Sequence, residues 1–143
     1  FFPELKEAVQ SLFNENRLEI IEKTVSAPGL YYLGDVYVYP TRLEGIGLTI
    51  AEASACGMPV ITTNEPPMNE FVKEDINGKL IEVSAYKKRK DGYYWNESII
   101  DLSSLTGHLD FYCENINSIE KYYRISRQDK IIQQSKDIIS LSF

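Results

Sequence analysis

Apolar positions in the first 83 residues alternate between the three-to-four-residue spacing of a helix and short unbroken apolar runs. The pattern predicts helices over residues 3–14, 28–33, 47–56 and 68–73. It predicts strands over residues 18–21, 36–39, 60–63 and 79–83. Because strands and helices alternate, we expect an α/β fold with a parallel sheet and helices on both faces. The carboxyl ends of the strands then share one edge, where such sheets bind ligands.

Glycine and proline mark several of the predicted boundaries. Gly34 follows the second helix, and Pro40 closes the strand before residue 41. Gly57 ends the third helix and Pro59 follows it, as helix stop signals do. The Asn77–Gly78 pair predicts a tight turn into the last strand.

The pattern changes after residue 83. Residues 84–100 are predicted to form a basic and aromatic loop, followed by helices over residues 101–113 and 127–139. The last helix would pack through one face that carries Ile131, Ile132, Ile138 and Ile139. The basic run of residues 87–90 lies between Tyr86 and the aromatic residues 93–95. It is either a solvated loop or a peripheral contact with an anionic membrane surface.

Composition narrows the functional classes. The 143 residues suit one domain, and the net charge of −6 argues against a nucleic-acid partner. Cys56 and Cys113 are far apart in sequence, and His108 is the single histidine of the chain, so no metal site is predicted. No apolar run reaches the ~20 residues of a membrane-spanning helix. The chain begins with Phe1 rather than methionine, and we expect it to be part of a longer protein.

The segment that carries candidate chemistry joins the strand over residues 36–39 to the helix over residues 47–56. The first turn of that helix leaves amide groups without helical acceptors, and its dipole is positive there. Gly45 and Gly47 leave room for a ligand against the backbone. Glu44 lies in the loop, and Glu52 is expected to point back along the helix toward it. Amides donate to phosphates and carboxylates accept from hydroxyls, a combination that suits a sugar nucleotide.

The same segment resembles a known family. The spacing Glu44-x7-Glu52, within EGIGLTIAEA and followed by ACGMPVI over residues 55–61, is similar to the signature of family 4 GT-B glycosyltransferases. The likeness extends back over LGDVYVYPT, residues 33–41, and forward to Glu70 and NGKL, residues 77–80. It covers roughly a third of the chain, which identifies the chain as resembling the C-terminal, Rossmann-like half of a GT-B fold with a helical C-terminal segment.

The resemblance implies roles for individual residues. Glu44 is expected to be the catalytic-site residue that contacts hydroxyls of the transferred sugar, and Glu52 to hold the ribose hydroxyls. The backbone amides of the intervening residues are expected to face the sugar and diphosphate. These residues are Gly45, Ile46, Gly47, Leu48 and, near the phosphates, Thr49. The family retains anomeric configuration and generally needs no metal or other cofactor, so the expected ligand is a UDP-sugar or a GDP-sugar.

Two departures from the family pattern qualify these expectations. Pro66 and Pro67 occupy the place of a common Gly-Gly pair, which removes two amides from possible ligand contacts. The resemblance implies that the Arg and Lys that bind the diphosphate in the family, and the acceptor-binding N-terminal domain, are expected upstream of residue 1. We therefore expect the chain alone not to transfer sugar. The full-length protein is expected to act on a glycan or lipid-linked acceptor, either free in the cytoplasm or at the inner face of a membrane.

Three other functions fit the α/β pattern. An NAD-dependent dehydrogenase would show G-x-G-x-x-G after its first strand, whereas Gly45 and Gly47 give only G-x-G. A non-catalytic nucleotide-binding or partner-binding module would be distinguished by the full-length gene. A sugar-nucleotide epimerase has a similar two-domain build but would not need the Glu-x7-Glu segment in this form.

Overall fold

The computed structural model of the chain describes residues 5–25 and 29–118. Its regular elements, in chain order, are helix α1 (Lys6–Asn14), a 3-10 turn (Tyr31–Leu33), strand β1 (Tyr37–Tyr39), helix α2 (Leu48–Ala55), strand β2 (Val60–Thr63), helix α3 (Met68–Phe71), and strands β3 (Gly78–Ile81), β4 (Val83–Lys87) and β5 (Glu97–Ile100). A further helix, α4, occupies residues 102–118.

The first three strands form the predicted parallel sheet, in the order β1-β2-β3. Val60 of the central strand pairs with Tyr37 on one side and with Gly78 on the other. All four residues of β2 are buried, as expected for a central strand that is covered on both faces.

Helices cover both faces of this sheet, which confirms the predicted architecture. On one face, Ile50 and Ala53 of α2 and Met68 of α3 pack around Val60. On the other face, Tyr112 of α4 packs with the next residue of β2, Ile61, and with Ile81 of β3. Burial of each such large aliphatic side chain contributes about 1.5–3 kcal/mol. Because β2 supplies a buried residue to the cluster on each face, it lies at the centre of the described core.

Gly78 is needed for packing rather than for the turn to which the sequence assigned it. It is the first residue of β3, and a Cβ atom placed on it would lie 2.0 Å from the carbonyl oxygen of Val60. The turn before it is held by Asn77, whose Oδ1 accepts from the Lys73 amide at 2.6 Å and whose Nδ2 donates to the Phe71 carbonyl at 2.9 Å.

The predicted strand over residues 18–21 does not form. Leu18 is half-buried and Ile20 and Ile21 are exposed, and this segment has no regular secondary structure. No strand among the described residues pairs with it, and an isolated extended segment lacks the ladder hydrogen bonds that stabilise a strand. The helix predicted over residues 127–139, with its four isoleucines, lies outside the described residues.

The predicted loop over residues 84–100 is instead a β-hairpin with a long connection. Its ends, β4 and β5, pair antiparallel, with Tyr86 opposite Ser98 and Lys87 opposite Glu97. Because the two strands are separated by nine polar and aromatic residues, the sequence offers no compact turn signal that would reveal their pairing. No helix within the described ranges is long and apolar enough to cross a membrane.

Candidate functional site

The loop between β1 and α2 lies at the carboxyl end of the sheet and is held there by buried threonines. The Thr62 hydroxyl donates to the Tyr39 carbonyl at 2.9 Å, and the Thr63 hydroxyl donates to the Thr41 carbonyl at 2.6 Å. Both threonine side chains are fully buried on β2. This fastening of the loop was not foreseen from the sequence, which marks residues 60–63 only as a strand.

Helix α2 begins at Gly47, whose backbone is left-handed with a φ of 76° and which has no side-chain cap. A Cβ atom on Gly47 would also lie 3.2 Å from the Phe71 ring, so glycine is required here by conformation and packing. At Gly45, by contrast, a Cβ atom would face open space. Packing within the chain therefore explains the glycine at residue 47 but not the glycine at residue 45, where a ligand could approach the backbone.

Glu44 is hydrogen-bonded to the first of the backbone amides that the resemblance assigns to a ligand. Its Oε1 accepts from the Gly45 amide at 2.8 Å, and its Oε2 accepts from the Tyr39 hydroxyl at 2.8 Å. The Tyr39 bond, followed by the amides of Gly45, Ile46 and Gly47, holds the pKa of Glu44 below its ordinary value. The anion on the Gly45 amide in this structure is thus the carboxylate of Glu44.

Glu52 lies on the exposed side of α2, where its Oε2 accepts from the Tyr31 hydroxyl at 2.7 Å. Burial and the neighbouring carboxylate raise the pKa of Tyr31 above its ordinary value. Most residues of α2 are apolar or small, a composition typical of a helix that is packed on more than one side. In the described structure only Ile50 and Ala53 of α2 are fully buried, and Leu48 is 62% exposed. The Glu52 carboxylate therefore keeps its contact with water and carries little desolvation penalty.

Three tyrosine rings connect the two carboxylates. Tyr37 lies between Tyr31, edge-on at 5.7 Å between ring centroids, and Tyr39, stacked at 5.7 Å. Tyr31 then binds Glu52 and Tyr39 binds Glu44. The sequence signal for two of these three rings was present, because Tyr37 and Tyr39 are two apart on a strand and therefore share a face. The contribution of Tyr31 depends on the tertiary fold and was missed.

A largely apolar cavity of about 860 Å³ opens beside Glu52. Its lining joins the 3-10 turn, β1 and the C-terminal end of α2, through Val25, Gly29, Leu30, Tyr31, Gly34, Val36, Tyr37, Glu52, Ala55, Cys56 and Met58. Glu44 is not part of this lining. The predicted convergence of the two carboxylates at the start of α2 stays a prediction. A flat ring against the apolar wall, with hydroxyls toward Glu52, matches this distribution of groups.

The remaining predicted residues fall into structural roles or onto the surface. Thr49 Oγ1 is buried and has no hydrogen-bond partner among the described residues. Glu70 is exposed on α3, the helix that begins directly after the Pro66–Pro67 pair. His108 Nε2 contacts the Leu80 carbonyl at 3.0 Å, which accounts for the histidine structurally. Within residues 5–25 and 29–118, no three His, Cys, Asp or Glu side chains are grouped to hold a metal ion.

Comparison with known proteins places these features in a family. A family model described as glycosyl transferases group 1 matches residues 2–92 of the 143. This range contains β1, the β1–α2 loop with Glu44, all of α2 with Glu52, and the sheet through β3.

Curated relatives agree with this match over short regions. A lipopolysaccharide core biosynthesis mannosyltransferase of Rhizobium meliloti is 38% identical over 72 residues, which are 50% of this chain and 20% of the relative. A UDP-Gal:alpha-D-GlcNAc-diphosphoundecaprenol alpha-1,3-galactosyltransferase of Escherichia coli is 34% identical over 70 residues, 49% of this chain and 18% of the relative. A D-inositol 3-phosphate glycosyltransferase of Salinispora tropica is 34% identical over 55 residues, 38% of this chain and 11% of the relative. The aligned part of the chain thus spans a fifth or less of each of these three relatives.

Proposed function

The chain belongs to the glycosyl transferases group 1 family, and from this premise we propose that it binds the nucleotide-sugar donor for a retaining glycosyltransferase. The full-length enzyme would transfer the sugar of a UDP-sugar or GDP-sugar to a glycan or lipid-linked acceptor. The observation that carries the proposal is the position of Glu52, an exposed carboxylate on the wall of an apolar cavity of about 860 Å³.

Glu52 has the chemistry to receive the ribose. Its Oε2 accepts one bond, from Tyr31, while a carboxylate offers about four acceptor sites. Two vicinal ribose hydroxyls can donate to the remaining sites without displacing Tyr31. The apolar wall that includes Val36 and Met58 would then face the base. We propose that Tyr31 acts as a positioning residue, which fixes the carboxylate rotamer before the nucleotide arrives.

Glu44 would contact hydroxyls of the transferred sugar and would give up its present bond to the Gly45 amide. Its carboxylate now accepts a hydrogen bond from the Gly45 amide, and the amides of Ile46 and Gly47 also lower its pKa. If a diphosphate takes these amides, Glu44 is displaced toward the sugar while Tyr39 can still donate to it. Leu48 and Thr49 contribute further amides in the first turn of α2, and the positive end of the helix dipole at this place also favours the diphosphate. Donor binding and the placement of Glu44 are then one event.

The family resemblance supplies the finer parts of the proposal. We propose retention of anomeric configuration, with the phosphate of the nucleotide sugar assisting deprotonation of the acceptor, and no requirement for a metal. The relatives named above act on lipopolysaccharide core and on a diphosphoundecaprenol-linked sugar according to their names. We propose acceptors of the same glycan or lipid-linked kind, bound by a domain outside this chain, in a cytoplasmic setting. The chain alone would therefore bind nucleotide without transferring sugar.

A thermal-shift panel tests the proposal. The chain is titrated with UDP, GDP and ADP and with common sugar nucleotides of each. The same panel is run on Glu52→Ala. At a concentration 100 times Kd, a ligand stabilises by about 2.7 kcal/mol. We expect a shift with either uridine or guanosine nucleotides that is lost in Glu52→Ala. Exposed Glu114 of α4 provides the matched control, and Glu114→Ala should keep the full shift. A failure of every nucleotide to stabilise the chain, or an equal shift in Glu52→Ala, contradicts the proposal.

A further inference from the structure

The connection of the β4–β5 hairpin, residues 88–96, concentrates basic and aromatic side chains at one exposed place. Residues 87–90 are Lys-Lys-Arg-Lys in a chain whose net charge is −6. Tyr93, Tyr94 and Trp95 follow, and they are 56%, 88% and 59% exposed. Tyr94 and Trp95 contact each other edge to face at 5.3 Å between ring centroids. Large exposed aromatic side chains beside a basic run need an explanation that the nucleotide site does not provide.

The lysines of this hairpin are available for an external anion. Arg89 pairs with Asp91 and stacks over the Tyr93 ring at 4.9 Å, so its charge is used locally. The hydrogen bonds from Arg89, and after them the Tyr93 amide, lower the pKa of Asp91 to about 2. Lys87, Lys88 and Lys90 are exposed or nearly so and form no ion pair within the described part of the chain.

The hairpin is fixed to the body of the domain near the proposed donor site. The Ser98 amide donates to the Arg42 carbonyl at 2.9 Å, two residues before Glu44. The Tyr86 hydroxyl donates to Glu65 at 2.7 Å, in the segment that follows β2. Ser98 itself is buried. The base of the hairpin therefore has a defined position beside the carboxyl edge of the sheet, while its connection is exposed.

We propose that residues 86–95 of the hairpin dock the protein onto an anionic lipid bilayer. The three lysines complement the negative surface, and each basic residue near such a surface contributes about 1 kcal/mol, or roughly fivefold in partitioning. Tyr and Trp favour the boundary between headgroups and acyl chains, where an apolar ring and a polar group are both accommodated. The three lysines and three aromatic rings at this place match that pair of requirements. The inference does not depend on nucleotide binding, so it can fail or succeed separately from the proposed function.

Trp95 reports directly on this docking because it is the only tryptophan in the chain. The chain is mixed with vesicles of phosphatidylcholine alone or of phosphatidylcholine with phosphatidylglycerol, and binding is measured by sedimentation and by Trp95 fluorescence. We expect binding and a blue shift only with the anionic vesicles. Binding should weaken as salt shortens the screening length from about 10 Å at 0.1 M to about 3 Å at 1 M.

Matched variants separate the hairpin from general electrostatics. Lys87→Gln/Lys88→Gln/Lys90→Gln should lower partitioning on the order of 100-fold. Lys6→Gln/Lys23→Gln/Lys73→Gln removes the same charge from exposed positions elsewhere and should leave partitioning nearly unchanged. Tyr94→Ser should weaken binding, whereas Tyr32→Ser, at a position that is 71% exposed, should not. Circular dichroism of each variant establishes that it is folded.

Three results would overturn the inference. The first is no binding to anionic vesicles. The second is binding without a Trp95 shift, which would place the contact elsewhere on the surface. The third is equal loss in the two lysine variants. If a soluble sulfated polysaccharide binds through Trp95 while vesicles do not, the hairpin recognises an anionic glycan and the membrane proposal is wrong.

Discussion

The hydroxyl of Tyr39 lies 2.8 Å from Oε2 of Glu44, and this bond ties the end of β1 to the loop before α2. An equivalent relation exists on the other side of the tyrosine row, where Tyr31 donates to Glu52 at 2.7 Å. Each of the two carboxylates that define the family resemblance is thus held by a tyrosine, and Tyr37 stands between these tyrosines. A row of three tyrosines therefore connects the two carboxylates before any ligand binds.

Tyr39→Phe should raise the pKa of Glu44 toward the ordinary value of a glutamate, about 4.3, because the Tyr39 bond is the largest cause of its depression. The variant should also lose about 1 kcal/mol of stability at neutral pH, since the carboxylate is only partly buried. A carbon-detected NMR titration of the glutamate carboxyls measures the pKa. An unchanged Glu44 titration in Tyr39→Phe would show that the bond is not formed in solution.

The same pair predicts a pH dependence of stability. The folded pKa of Glu44 is depressed, so its contribution is complete above the unfolded pKa of about 4.3. The contribution is lost as pH falls through the lower folded pKa. The difference in free energy of unfolding between wild type and Tyr39→Phe should therefore be largest near pH 7 and should shrink below about pH 4. Urea denaturation at several pH values measures it, and a difference that stays constant with pH would argue against the ionised Glu44 as the partner.

Gly78→Ala should destabilise the sheet severely, by more than about 3 kcal/mol, because the new Cβ would meet the Val60 carbonyl. Gly107 provides the control, since it lies in α4 and a Cβ atom there meets nothing within 4 Å. Gly107→Ala should stabilise by about 0.5–1 kcal/mol through the helix propensity of alanine. Thermal or urea denaturation compares the two. Similar stability of Gly78→Ala and wild type would mean that β2 and β3 are not paired in this register.

Asp101→Ala should cost about 1 kcal/mol, because Asp101 caps α4. Its Oδ1 accepts from the amides of Ser103 and Ser104 at 2.7 and 3.1 Å. Asp110→Ala, at an exposed position within the same helix, removes the same charge without removing a cap and should change stability by less than about 0.5 kcal/mol. The contrast is measured by urea denaturation. Equal effects would show that the charge matters and the capping geometry does not.

Much of the fold could be predicted from the sequence because the local signals of these segments agree with their tertiary packing. Residues 60–63 form a strand with the predicted bounds, since the run is short, consists of β-branched residues and is followed by a break. Helix α2 lies within its predicted range because glycines stand at both ends. The segment 18–21 failed as a strand, since pairing is decided by a partner that periodicity does not reveal. The hairpin was missed for the same reason, because its strands are separated by nine residues.

The candidate site was predictable in its residues and less so in its geometry. Glu44 and Glu52 follow from their spacing, which a resemblance can recognise. The bond of Glu44 to the Gly45 amide depends on a loop rotamer, and the bond of Glu52 to Tyr31 joins residues 21 apart. Neither is encoded in a local pattern. The cavity, whose lining includes Glu52 and not Glu44, is also formed by elements that are distant in sequence.

The central claim is that Glu52 holds the ribose hydroxyls of a nucleotide sugar. It is tested most directly by calorimetric titration of wild type and Glu52→Ala with UDP and GDP and with their 2′,3′-dideoxy analogues. We predict that wild type prefers the natural nucleotide by about tenfold or more, because hydrogen bonds to a charged group contribute roughly 1.5–3 kcal/mol. Glu52→Ala should bind both forms alike. If wild type does not discriminate, or if Glu52→Ala keeps the full preference, Glu52 is not the ribose ligand and the account is contradicted.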